Sequence, residues 1–444
     1  MSRPVLEDPS SPLDWKLQMW MLSSIFFCLP FLEFPGGELW MLWPLPQYAL
    51  ILALCTTLLT AVFFLGPALA VHASGKSLTG AVALSVGSIP AEGVRACCVG
   101  VLVLWIADLL GRSLYAVINA TSLRGPDWVV GCLAVAVLGF LFVTAFQSPL
   151  VSGKMAFLST KLGLAILMAA LFRVGDGWPA IQHGFANQGE FAGPRVVWRG
   201  FALLVATLAP LALIAAGWGS RIQGRKPIAY AASFGWAMPL FVAMLLVGVV
   251  KVSVGSSEFY QPSLQPSVTM ALWAKSARSG VPPRVLIASL TVFGALRFGV
   301  RGFADLAAIA SRGLRGKCLS IAAAILLMAG LCLFPWNEHL SKLRTATSYV
   351  LAVTAMVLTA DLLVRRGKNR SERRFDWGGC VAMLAGLASP WYLPLWFVGP
   401  VDDSWWHRSI LPACGVAFVA CILSRGLEKL SRKVRHGVER APLA

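Results

Sequence analysis

A small set of side chains capable of chemistry stands inside otherwise apolar stretches of this sequence. Arg297, Arg301 and Asp305 recur every four residues, which places them on one face of a helix. Trp105, Asp108 and Arg112, at i, i+3 and i+7, share a face of another. Glu33 and Lys161 are two further isolated charges. A guanidinium is a planar fork of donors suited to a carboxylate or to paired carbonyls, and an indole is a platform on which a flat ring can stack. Set against Glu33, Asp108 and Asp305, the cations Arg112, Lys161, Arg297 and Arg301 leave one positive charge in excess, which favours an anionic or carbonyl-rich solute. The alternative is self-neutralisation, Asp108 with Arg112 and Arg301 with Asp305, fixing helix packing without touching a ligand. Both readings stay open at this level.

Other chemistries find no support. The ten cysteines, Cys28, Cys55, Cys97, Cys98, Cys132, Cys318, Cys332, Cys380, Cys414 and Cys421, show no C-x-x-C pair and no Cys/His cluster, and read as small apolar filler. The five histidines fall in loops or the tail, away from the apolar stretches. Nucleophile elbow, P-loop and dinucleotide fingerprint are all missing. The reading is therefore a non-enzyme with no cofactor and no metal site.

The elements that must position these residues follow from composition. A chain of 444 residues with 57% hydrophobic and 13% charged residues, and a mean hydropathy of +0.72, has too little polar surface to cover a water-soluble globule. Its solvent is lipid, and apolar runs of helix-spanning length recur throughout. About twelve spans are predicted: 18–43, 47–72, 92–121, 128–150, 154–172, 200–222, 228–251, 284–310, 317–334, 345–365, 376–398 and 408–425. Residues 1–17 form a short leading segment, 18–425 a single transmembrane domain and 426–444 a basic tail. The net charge of +18 is concentrated in His72–Lys76, Arg221–Lys226, Arg312–Lys317, Arg365–Arg374 and Arg425–Arg440, each after an even-numbered span. Short basic loops stay inside, so both termini are expected in the cytoplasm of an inner-membrane protein. These loops lack aromatic interleaving, which argues against nucleic acid as a partner.

Two spans carry interruptions. Leu29-Pro30-Phe31-Leu32-Glu33-Phe34-Pro35-Gly36-Gly37 breaks the first, and Ala209-Pro210 falls in the sixth. Spans one and six hold the same position in two five-span halves, 18–172 and 200–365, with 376–425 supplying two extra helices. Matched interruptions of this kind point to a binding site built on inverted repeats. Glu33, Ala209 and Pro210 are accordingly candidate substrate-site residues. The plain alternative is that the prolines only kink their helices.

Four segments carry a resemblance to a known family. They are Leu65–Val86 at the end of span two and its connection, Pro90–Ala120 with Trp105, Ser220–Lys226 after span six, and Tyr349–Gly367 with Ala360-Asp361-Leu362-Leu363-Val364-Arg365-Arg366-Gly367. In order and spacing these resemble the nucleobase:cation symporters, which include cytosine and hydantoin permeases, of the amino acid-polyamine-organocation superfamily. The resemblance implies an all-α polytopic fold of 5+5 inverted repeats with broken helices 1 and 6. It further implies a secondary transporter importing a small planar nitrogenous solute, coupled to a proton or cation. Trp105 matches the family's stacking tryptophan. Lys161 resembles the fifth-span lysine whose ammonium stands in for the cation in sodium-independent relatives of the superfamily, and Asp305 is a second candidate for ion coupling. The chain departs from the family where Leu109 replaces a glutamine beside Asp108. It departs again where Arg297, Arg301 and Asp305 replace an asparagine-rich eighth span, which leaves a nucleobase as the family default. Two other readings are a permease for a small anionic solute and a transporter-derived sensor or scaffold.

Overall fold

The computed structural model describes residues 45–121, 194–245, 338–365, 373–393 and 405–438, together with the single positions 16, 137, 161, 165 and 182. Every regular element among the described residues is helical. In chain order they are α1 (Leu45–Leu59), a π-helical segment (Thr60–Leu65), α2 (Gly66–Ser74), α3 (Leu78–Val86), α4 (Ser88–Thr121) and α5 (Pro194–Ala216). A 3-10 turn (Gly217–Arg221), α6 (Arg225–Tyr230), a second π segment (Ala231–Ala237), α7 (Glu338–Arg365), α8 (Trp377–Tyr392) and α9 (Trp405–Val438) follow.

Among the described residues, six stretches are long and apolar enough to cross a membrane: Gln47–Ser74, Ser88–Ala107, Gly200–Arg221, Arg225–Leu245, Thr345–Arg365 and Ser409–Ser431. They coincide with predicted spans two, three, six, seven, ten and twelve. α8 falls in predicted span eleven and rises about 24 Å along its axis. Spans one, four, five, eight and nine lie outside the described residues, apart from the isolated positions. Lipid as solvent explains the outer faces. Leu50, Leu54 and Leu58 on α1, Val381 and Leu384 on α8, and Val419, Leu423 and Leu427 on α9 are all exposed. Such rows would be an association hazard in water. The buried threonines Thr56 and Thr354 return their hydroxyl protons to their own helix, to Leu52 O and Val350 O, each at 2.8 Å, so that these donors are satisfied locally.

The described residues fall into two compact units. One comprises those within Ala61–Cys98, Ala202–Ile228 and Thr345–Ala444; the other comprises those within Met1–Thr60, Val99–Phe201 and Ala229–Arg344. The first unit holds a short helix where the sequence suggested a plain connection. α2 stops at Gly75, whose φ of +63° turns the chain, and α3 starts with the Ser77 hydroxyl accepting from the Gly80 N–H at 3.3 Å. Seven of the nine α3 residues are buried. α3 ends at Gly87, whose φ of +104° is a conformation that side chains with a Cβ rarely adopt.

Packing in this unit rests on small residues that let backbones approach. The Gly379 Cα on α8 lies against the Ser85 carbonyl, and a methyl group there would run into that oxygen. α8 and α9 pack along each other where Gly386 meets Ala413 and Ala417. A substitution Gly379→Ala should therefore lower the apparent melting temperature of the purified protein by several degrees, the overpacking cost being roughly 1–3 kcal/mol. Gly415→Ala, on α9 with open space around it, should leave the melt unchanged. Equal melts for the two variants would contradict this packing.

Candidate functional site

Trp105 sits on α4, its side chain buried within a run from Val101 to Ala107 that is buried at every position. The backbone of Asp108 and Arg112 continues the same helix at i+3 and i+7, as the spacing requires, while their side chains lie outside the described residues. Lys161 is helical and exposed. Glu33, Arg297, Arg301 and Asp305 lie outside the described residues.

Ala209 and Pro210 are buried on α5, but the expected break is not there. α5 runs unbroken from Pro194 to Ala216 with Pro210 in its interior. Proline removes a single donor and crowds one carbonyl, a local defect that close neighbours in a membrane protein accommodate. The departure from α geometry comes after it, in the 3-10 turn, where the Arg221 guanidinium lies 5.3 Å from the centre of the Trp218 ring.

Two irregularities carried no signal in the sequence. The π segments Thr60–Leu65 and Ala231–Ala237 interrupt predicted spans two and seven, and such segments often mark functional positions. The first is approached from α7, where the Thr359 hydroxyl, with a single proton to donate, lies 2.9 Å from both Val62 O in the irregular turn and Ala355 O on its own helix. Gly66 leaves room for that threonine.

The charges that the structure does bring together belong to other residues. At the end of α7, Asp361 is fully buried, forms an ion pair with Arg365 Nε at 3.1 Å and accepts a hydrogen bond from Arg425 Nε at 3.0 Å. Its second oxygen accepts from the Ser85 hydroxyl at 2.9 Å. Asp376, in the extended connection ahead of α8 and outside the six spans, accepts from Arg425 Nη1 at 2.5 Å and Arg365 Nη2 at 2.9 Å. Glu428 on α9 accepts from the same two nitrogens, at 2.9 Å from Arg425 and 3.4 Å from Arg365. Burial pushes the Asp376 carboxyl up, but the hydrogen bonds and positive charges of Arg425 and Arg365 outweigh it and hold the group below its ordinary value. Its contribution to stability is thus present at neutral pH and is lost as pH falls through that lowered value. Arg425 is the last residue of predicted span twelve and opens the basic run Arg425–Arg440. It is 1% exposed, and α9 continues past it to Val438. Nothing in its neighbours distinguishes it from a surface arginine; only Asp361, in the motif ending span ten, was a hint.

Compared with solved structures, the chain is similar over nearly its whole length to Mhp1, a nucleobase-cation-symport-1 family transporter. The inward-facing conformation gives a TM-score of 0.65 at 15% identity, covering 97% of this chain and 96% of that one. The closed conformation with bromovinylhydantoin bound gives 0.61 at 13%, covering 95% and 96%. A Na+-coupled sialic acid symporter in a substrate-bound outward-open state gives 0.62 at 11%, covering 94% and 90%. No family model matches the sequence, and no characterised protein matches it at the level of sequence. The chain is a multi-pass α-helical membrane protein with the fold of these transporters. The symporter resemblance read from the sequence motifs agrees with that fold, since two of these three structures come from the same family.

If Trp105 serves as a stacking platform, worth roughly 1–3 kcal/mol per ring, Trp105→Ala should weaken binding of a planar ligand by about one to two orders of magnitude with expression intact. Titration calorimetry with the ligand identified by uptake checks this. Unchanged affinity in folded protein assigns Trp105 to packing alone.

Proposed function

We propose that this protein is a secondary active transporter that imports a small planar nitrogenous solute, such as a nucleobase or hydantoin, together with a proton or cation. The observation carrying this reading is the fold shared with Mhp1 across 97% of this chain and 96% of that one. The residues supply a consistent chemistry. Trp105 offers a flat apolar surface, Arg297 and Arg301 offer planar donor forks for carbonyls, and Asp108 and Glu33 offer acceptors for ring N–H groups. Ala209 and Pro210 would contribute backbone and small-volume lining rather than polar contact. Lys161 and Asp305 are the groups assigned to the coupling charge. In this reading the chain lies in the inner membrane with both termini cytoplasmic, following its basic loops.

The direct test is uptake of radiolabelled cytosine, uracil, hydantoin and small carboxylates by proteoliposomes, with and without a proton or sodium gradient. Saturable uptake of a planar heterocycle, stimulated by one gradient, is the expected result. Uptake of a carboxylate alone would favour the anionic-solute reading, and no uptake across the panel would favour a sensor or scaffold.

A double-mutant cycle with Arg301→Gln and Asp305→Asn separates ligand contact from charge pairing. If Arg301 holds substrate, the double variant should recover thermal stability and still lack uptake. Recovery of both properties would reduce the two residues to a mutually neutralising pair.

A further inference from the structure

The helix α3 is nine residues long, carries no charge and is too short to persist alone. A helix also ends with four carbonyls that have no partner within it. In α3 these are Ala83, Leu84, Ser85 and Val86, and each is answered. Gly87 N–H donates to Ala83 O at 3.0 Å, the one local bond. Leu84 O accepts from Arg365 Nη1 at 3.4 Å and Ser85 O from Arg425 Nη2 at 2.8 Å. Val86 O accepts from the Asp376 N–H at 3.1 Å and the Cys380 thiol at 2.8 Å. Beyond the helix end, Ser88 N–H donates to Arg373 O at 2.9 Å and Ile89 N–H to Arg374 O at 3.3 Å. Three of the four terminal carbonyls are thus capped by residues some 280 to 340 positions later in the chain.

The guanidiniums that perform this capping are themselves immobilised. Each of the six carboxylate oxygens of Asp361, Asp376 and Glu428 accepts a hydrogen bond from Arg365, Arg425 or Ser85. A network in which every carboxylate oxygen has a partner holds its shape.

We infer that α7, α8 and α9 act as a clamp that caps α3 from a distance, with Arg425 as its positioning residue. The two C-terminal helices are then required to form and aim α3 between α2 and α4, and α3 travels with them as one body. This does not depend on what, if anything, the protein transports.

Hydrogen exchange of the purified full-length protein in lipid nanodiscs tests it without a substrate. Arg425→Gln should raise exchange at residues 78–89 and 373–380 by tenfold or more, leaving 47–59 and 231–237 near wild type. Arg425→Lys should also raise it, because an ammonium keeps the charge but cannot reach Asp361, Asp376, Glu428 and Ser85 O together. Ser85→Ala, which deletes only the hydroxyl bond to Asp361, should give a smaller rise confined to 78–89, and it serves if the arginine variants do not fold. Wild-type exchange at 78–89 in Arg425→Gln or Ser85→Ala would overturn the clamp. An equal rise in every segment would overturn it too, by making Arg425 a general stabiliser.

Discussion

Inside a bilayer there is no water to accept what the protein leaves unpaired, and each described element follows that constraint. Helices satisfy their backbone internally except at their ends and irregular turns, so those places need outside help. The Thr359 hydroxyl meets Val62 O in the first π segment, and Arg365 and Arg425 meet the last carbonyls of α3. The guanidiniums then require carboxylates, because a buried cation without partners costs several kcal/mol. Asp361, Asp376 and Glu428 complete the set. Removing one member of such a buried group typically costs about 3–5 kcal/mol, since the others are stranded, so the network is held together as much by the penalty for leaving it as by its own attraction.

The same solvent removes the usual reason for helices to associate, because a leucine face is as content in lipid as against a neighbour. Close packing and polar contacts take over. Gly379 against Ser85 and Gly386 against Ala413 and Ala417 bring backbones together, while Leu50, Leu54 and Leu58 face outward. In the first unit the small residues lie beside the ionic network: Gly379 approaches the same Ser85 carbonyl that Arg425 caps. Shape and charge therefore fix one arrangement between them, and neither does so alone.

The fold is shared with solved structures at only 11–15% identity. Trp105 lies in a buried stretch of α4. Fold is set by the length and polarity of many helices, which tolerate substitution within a class; a ligand is chosen by a few donors and acceptors, which do not.

The sequence by itself determined the solvent, the helical class and, among the described residues, the positions of spans two, three, six, seven, ten and twelve. The predicted 345–365 matches Thr345–Arg365, and 47–72 matches Gln47–Ser74 within two residues, because an apolar run of sufficient length has one stable fate in lipid. The motif Ala360-Asp361 through Arg365 was legible as a family signature, but its role was not. Only the tertiary structure decided that Pro210 lies inside a continuous helix, that α3 exists, and that Arg425 is interior. A proline's effect depends on whether neighbours absorb one lost hydrogen bond, and a charge's place depends on whether acceptors await it. For Arg425 those acceptors stand 49, 64 and 340 positions away, at Asp376, Asp361 and Ser85, and contacts across such separations leave no periodicity in the sequence to read.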